Sequence, residues 1–112
     1  MKRPPVRLRA SAIQDLKDIY DWIVSESGYS QVAVNFVDRI LDRCESLSTF
    51  PMIGRARDDL QPGVRILPFE RIAVIAYRIH AGKVEVINIF YGGRDYEALL
   101  RDEDGLRPPP RV

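Results

Sequence analysis

The chain has 112 residues, 17 basic and 16 acidic side chains, a net charge of +1 and a hydrophobic share of 46%. This supports one domain with one core, and excludes a disordered or fibrous chain. The charge balance also excludes diffuse attraction to nucleic acid, while fourteen arginines against three lysines favour planar, bidentate contacts to carboxylate or phosphate.

Cys44 is the only cysteine, so no internal disulfide forms and a reducing cytoplasm is expected. No stretch approaches the roughly 18 apolar residues of a membrane span. Met1 to Pro5 leads into no apolar segment of signal type, so a cytoplasmic protein without membrane contact is predicted.

In chain order, Val6-Arg7-Leu8-Arg9 alternates apolar and basic, the period of a short strand at a sheet edge. Ser11-Ala12-Ile13-Gln14 has the form of a capping box and predicts a helix start there. Ile13, Leu16, Ile19, Tyr20 and Ile23 then share one face, with Asp15, Lys17, Asp18 and Asp21 opposite and Trp22 at the margin, partly covered. Gly28 suits a left-handed helix end and Ser30 the cap of a second helix, giving a helical hairpin. In that second helix Ala33, Phe36, Val37, Ile40, Leu41, Cys44 and Leu47 repeat at three and four, with Cys44 a core residue. Val32, Val34 and Phe50 widen the stripe beyond one packing surface, which predicts burial against both the sheet and the first helix. Phe50-Pro51 closes the helix.

The segment 51–63 reads as an aperiodic loop of turn formers and charges. Val64 to Phe69 resumes an extended pattern, and Pro68, which cannot donate to a ladder, marks an edge strand or a bulged end. From Ile72 the chain reads as a β-hairpin through a His80-Ala81-Gly82-Lys83 turn to Tyr91. The middle of the hairpin is apolar on both faces, so it is central and covered on each side. Gly92-Gly93 ends it, followed at once by Arg94-Asp95, and 96–100 suggests one or two helical turns. The fold class is therefore α+β: an N-terminal strand, a helical hairpin over one face of a three-stranded antiparallel meander, and a short C-terminal helix. A single domain over 1–101 is expected, with a mobile, proline-rich tail over 102–112.

The chemistry is narrow. His80 is the only histidine and no carboxylates complete a ligand set with it or with Cys44, so no metal or other cofactor is expected. No serine has a nucleophile-elbow context, and Gly92-Gly93-Arg94 matches neither a Walker motif nor a dinucleotide fingerprint. Arg55, Arg57, Arg65, Arg71, Arg78, Tyr91 and Arg94 remain around the sheet. Such a set suits an RNA phosphate, internal ion pairs or an acidic protein partner alike.

The order and spacing of Phe50-Pro51, Gly54-Arg55, Gly63-Val64-Arg65, Tyr77-Arg78 and Gly93-Arg94-Asp95 resemble the ParE branch of the RelE/ParE toxins of bacterial toxin–antitoxin modules, including plasmid stabilisation systems. The resemblance covers nearly the whole chain. It implies a small α+β toxin held inactive in a hetero-oligomer by a ParD-like antitoxin, with DNA gyrase as the target bound and no sequence-specific DNA binding of its own. Two alternatives stay open: a RelE-like nuclease cutting messenger RNA on the ribosome, and an inert toxin fold serving as a binding module. Val74 stands where the nucleases carry a strand arginine and Leu100 near the place of their C-terminal tyrosine, which speaks against efficient cleavage.

The expected target-binding residues are Tyr91, Arg94 and Asp95, held in direction by the strand before them, with Arg71 and Arg78. Those expected to meet the antitoxin are Trp22, Val32 and Phe36 on the apolar margins of the helical hairpin, with Arg55, Arg57 and Arg65 facing acidic groups.

Overall fold

The computed structural model describes residues 3–102. Its elements in chain order are β1 (Val6–Leu8), α1 (Ala10–Ser27), α2 (Ser30–Ser46), β2 (Arg55–Ala56), β3 (Val64–Phe69), β4 (Ala73–His80), β5 (Lys83–Tyr91) and α3 (Tyr96–Asp102). The α+β class and the helical hairpin are as expected. The strands form one five-stranded sheet in the order β1-β5-β4-β3-β2, antiparallel except that β1 runs parallel to β5. The expected tail lies outside the described residues apart from Asp102, which ends α3.

The aperiodic segment after α2 is not wholly loop, because Arg55 and Ala56 pair with Ile66 and Arg65 as β2. A two-residue strand carries no alternation to read; it exists only because β3 offers it a ladder. It covers the middle of β3 and leaves Pro68 beyond its reach, so the missing donor falls on open edge.

The two apolar faces of β5 have a specific origin. Tyr77 pairs with Val86 and Ala76 with Asn88, leaving Ile87 as an extra residue in a β-bulge. The bulge reverses the alternation: Val84, Val86 and Ile89 face the helical hairpin, whereas Ile87 and Phe90 join Leu60, Val64, Ile66, Ala76 and Leu100 under α3. Two cores therefore lie back to back across one sheet, the larger holding Leu16, Ile19, Ile23, Phe36, Ile40 and Cys44 from the helices and Leu47 from the C-cap of α2.

Several helix details depart from expectation. Arg9, not Ser11, is the N-cap of α1, and no side chain caps it. Ser11 lies inside the helix and donates to the Ile87 carbonyl at 2.6 Å, while Gln14 donates to Asp18. The capping box is thus replaced by a contact to the sheet. Tyr29, not Ser30, stands at the N-cap of α2, again without a side-chain cap. Gly28 does end α1 in the left-handed region, φ 77°, its amide donating to the Val24 carbonyl. The end of α2 comes at Ser46, four residues before Phe50, where Ser48 and Thr49 donate to Glu45 and Ser46 in tight turns. Nor is α2 buried all round. Phe36 packs edge-on to Phe69 of the sheet, but Val32, Val34 and Phe50 stay exposed, as does Ile13 on α1.

Candidate partner-binding groove

The site is built from the end of the sheet at which β5 leaves it. Beyond Val86, β5 is paired with β4 on one side but has no strand on the other, because β1 stops at Leu8 and Arg9 makes the last backbone bond, to the Val86 carbonyl. Side chains of α1 continue the ladder. Ser11 donates to the Ile87 carbonyl, and one turn later Asp15 Oδ2 accepts from the Ile89 amide at 2.8 Å and from Asn88 Nδ2 at 2.9 Å. Asp15, expected on the solvent side of α1, is therefore half-buried. Burial pushes its carboxyl above the usual carboxylate range, against the pull of its bonds to Asn88 and Ile89 and of the nearby Arg94 guanidinium.

This clamp holds α1 across the end of β5 and sets Trp22 against Tyr91, ring centroids 4.8 Å apart and edge to face. Trp22 is 49% exposed, the marginal position its helical phase predicts. Trp22 and Tyr91 form a wall shared by two open cavities. One, of about 250 Å³, is lined by Asp15, Asp18, Ile19, Ile89, Gly92 and Arg94 as well as the two rings. The other, of about 430 Å³, runs between α1 and α2 over Ile23, Val32, Phe36 and Ile72 to the Arg39–Glu70 pair. That pair is bidentate, 2.7 and 2.9 Å, with Arg39 also 5.4 Å from the Phe36 ring centre. It holds Glu70 below its usual range and raises Arg39. Burial, with Glu26 nearby, raises the Tyr91 phenol. The result is an apolar, aromatic groove with charge at both ends, shaped to receive a side chain or an amphipathic segment.

The predicted residues divide. Trp22, Val32, Tyr91 and Arg94 meet in this groove; Phe36 floors it but is buried, and Arg71 lies exposed in the β3–β4 turn at the same end of the sheet. Arg78 pairs with Glu85 near the far end of the hairpin, roughly 17 Å of strand away from Ala73 at 3.3 Å per residue, and Arg9 shares that carboxylate. Asp95 accepts from the Ala98 amide and so begins α3. Arg55, Arg57 and Arg65 lie at the opposite edge of the sheet from β1. Arg57 binds Asp59 and Glu97 at 2.8 and 2.7 Å, tying α3 to the β2–β3 loop, and Arg65 donates to the Gly54 carbonyl at 2.6 Å; Arg55 stays exposed. No motif announced Asp15, and the one that marked Ser11 assigned it to a helix cap and not to the sheet edge. Their signal is only a serine and an aspartate four apart on a helix that follows an edge strand.

Among the described residues no group of three or more His, Cys, Asp or Glu is placed to hold a metal ion, and no helix is long and apolar enough to cross a membrane. The family model described as the ParE toxin of the type II toxin–antitoxin system parDE matches residues 6–96. The chain belongs to the ParE toxin family. It is 34% identical over 77 residues to Toxin ParE3 of Caulobacter vibrioides, covering 69% of this chain and 76% of that one. A solved structure of the chromosomal ParDE TA system from P. aeruginosa superposes with a TM-score of 0.70 at 25% identity, over 80% of this chain and 97% of the other. As a ParE-family chain it is a toxin component of a type II toxin–antitoxin module, and the groove between its helical hairpin and sheet is lined by Trp22, Phe36 and Tyr91.

Proposed function

We propose that this ParE-family toxin arrests growth by binding DNA gyrase, without cutting RNA, and that a ParD-like antitoxin neutralises it by covering the groove at Trp22, Val32 and Tyr91. The choice between targets is supported by one observation. Val74 and Leu100, standing where the RelE-like nucleases bear charge-stabilising and terminal groups, both pack in the apolar core under α3, Leu100 wholly buried. A groove that leaves Trp22, Val32 and Ile72 partly exposed supports a covering partner, since burying them stabilises a complex by apolar transfer. Antitoxin binding then raises the apparent stability of the toxin by mass action.

The test is inducible expression of the full chain without antitoxin, followed by assays on purified protein. Growth arrest with a DNA-damage response, and inhibition of gyrase supercoiling in vitro, is the expected result. Rapid cleavage of ribosome-bound messenger would overturn it in favour of the nuclease, and neither effect would leave an inert binding module. Arg94→Ala is expected to abolish toxicity while the melting temperature stays unchanged, the separation that a target contact requires.

A further inference from the structure

We propose that the 250 Å³ cavity walled by Trp22 and Tyr91 is a receptor for one basic side chain, arginine above lysine, carried by a protein segment that crosses it. This goes beyond the toxin assignment and holds whichever protein supplies the segment. The volume lies below the roughly 300–1,000 Å³ of sites for drug-sized ligands, and suits a single side chain. The charged groups on its lining are Asp15, Asp18 and Arg94, two carboxylates against one guanidinium. The floor thus favours a cation and repels phosphate, which sets aside a nucleic-acid occupant.

Two features fit a guanidinium in particular. Both bonds that Asp15 accepts fall on Oδ2, so Oδ1 takes no hydrogen bond from any described residue and is not itself buried. The aromatic wall is angled at 71° between rings, which leaves a ring face on half-exposed Trp22 for a planar cation to stack on. Arginine can stack and fork to a carboxylate at once; lysine offers only a point charge. Arg94 at the rim supplies the complement, a site for an acidic group beside that arginine in the arriving segment. Burial of Asp15 strengthens the field felt by such a cation, because the carboxylate is less well solvated there.

Trp22 is the single tryptophan and walls both cavities, so its fluorescence reports binding in either, and the amides of Ile89 and Gly92, which line the smaller cavity and not the larger, tell the two apart. The full chain is titrated with Nα-acetyl-arginine methylamide, its lysine counterpart and the neutral isostere Nα-acetyl-citrulline methylamide, with ¹⁵N shifts of Ile89 and Gly92 followed in parallel in case the fluorescence is silent. The expected result is saturable binding in the millimolar range for arginine, weaker for lysine, and weaker by about tenfold or more for citrulline. Raising the salt concentration should weaken it. Asp18→Asn, at an exposed position whose change leaves the Asp15 clamp intact, should lower the arginine affinity by several-fold with an unchanged circular dichroism spectrum. Equal binding of citrulline and arginine, an unaffected Asp18→Asn variant, or no saturable change by either readout would each overturn the proposal. Failure of the gyrase assay leaves this titration untouched, and the reverse also holds.

Discussion

Replacing Asp15 by alanine removes the side chain that closes the open edge of β5. Two donors lose their acceptor: the Ile89 amide at 2.8 Å and Asn88 Nδ2 at 2.9 Å. An unpaired buried donor costs about 1–3 kcal/mol, and the variant recovers part of this by no longer desolvating a carboxylate, so a net loss of about 2–4 kcal/mol is expected. Against the roughly 5–15 kcal/mol that holds a domain folded, this is a large share, and it lowers Tm by on the order of 10–20 °C. Asp15→Asn behaves differently. Both bonds end on one oxygen, so the asparagine carbonyl can accept both, and the variant should lose about 1 kcal/mol or less. The pH dependence has a definite sign. Burial raises the folded-state pKa of Asp15 above the ordinary value of an aspartate, so the native state holds this proton more tightly than the unfolded chain. The ionisation penalty is absent below the unfolded value and complete above the raised one, and the gap between wild type and Asp15→Asn should shrink as pH rises through that window. Urea unfolding at acidic and neutral pH measures both effects, and amide exchange at Ile89 locates them. An Asp15→Ala variant within about 0.5 kcal/mol of wild type, or one with undiminished protection at Ile89, would refute the clamp.

Gly54→Ala should be among the most damaging single changes, by about 2 kcal/mol or more. An added Cβ would lie 2.6 Å from the Tyr77 ring and hydroxyl, and Tyr77 is wholly buried with that hydroxyl accepting from the Gly54 amide and donating to the Pro51 carbonyl; a urea melt close to wild type would contradict this. Cys44 is buried, and burial pushes its thiol up to about 12, so iodoacetamide at pH 8 should leave the folded chain unmodified and label it fully in urea. Labelling at equal rates in both states would mean that the helix–sheet core opens readily. Ala81 holds φ 53° in the β4–β5 turn, where an L-residue is strained, and Ala81→Gly should stabilise by about 0.5–1 kcal/mol, read as a shift in the urea midpoint.

What could be read from the sequence was local. The β4–β5 hairpin follows from runs of β-branched residues around a turn, the end of α1 from a glycine that accepts positive φ, and the marginal place of Trp22 from the helical period. Each is a property of neighbours along the chain. The bulge at Ile87 is instead a property of how two strands register, and β2 of the edge it finds, so neither leaves a pattern in its own residues. The same limit governed the groove. Residue type and phase marked Trp22, Val32, Tyr91 and Arg94 as candidates, but as two separate surfaces; only the packing of α1 across the end of β5 makes them one. It also turned Ser11 from a cap into a ladder donor and Asp15 from a solvated charge into a clamp, through partners more than seventy positions away. A hydroxyl or carboxylate takes whichever unpaired backbone group comes within reach, and for these two the tertiary fold, not the adjacent sequence, decided which groups those were.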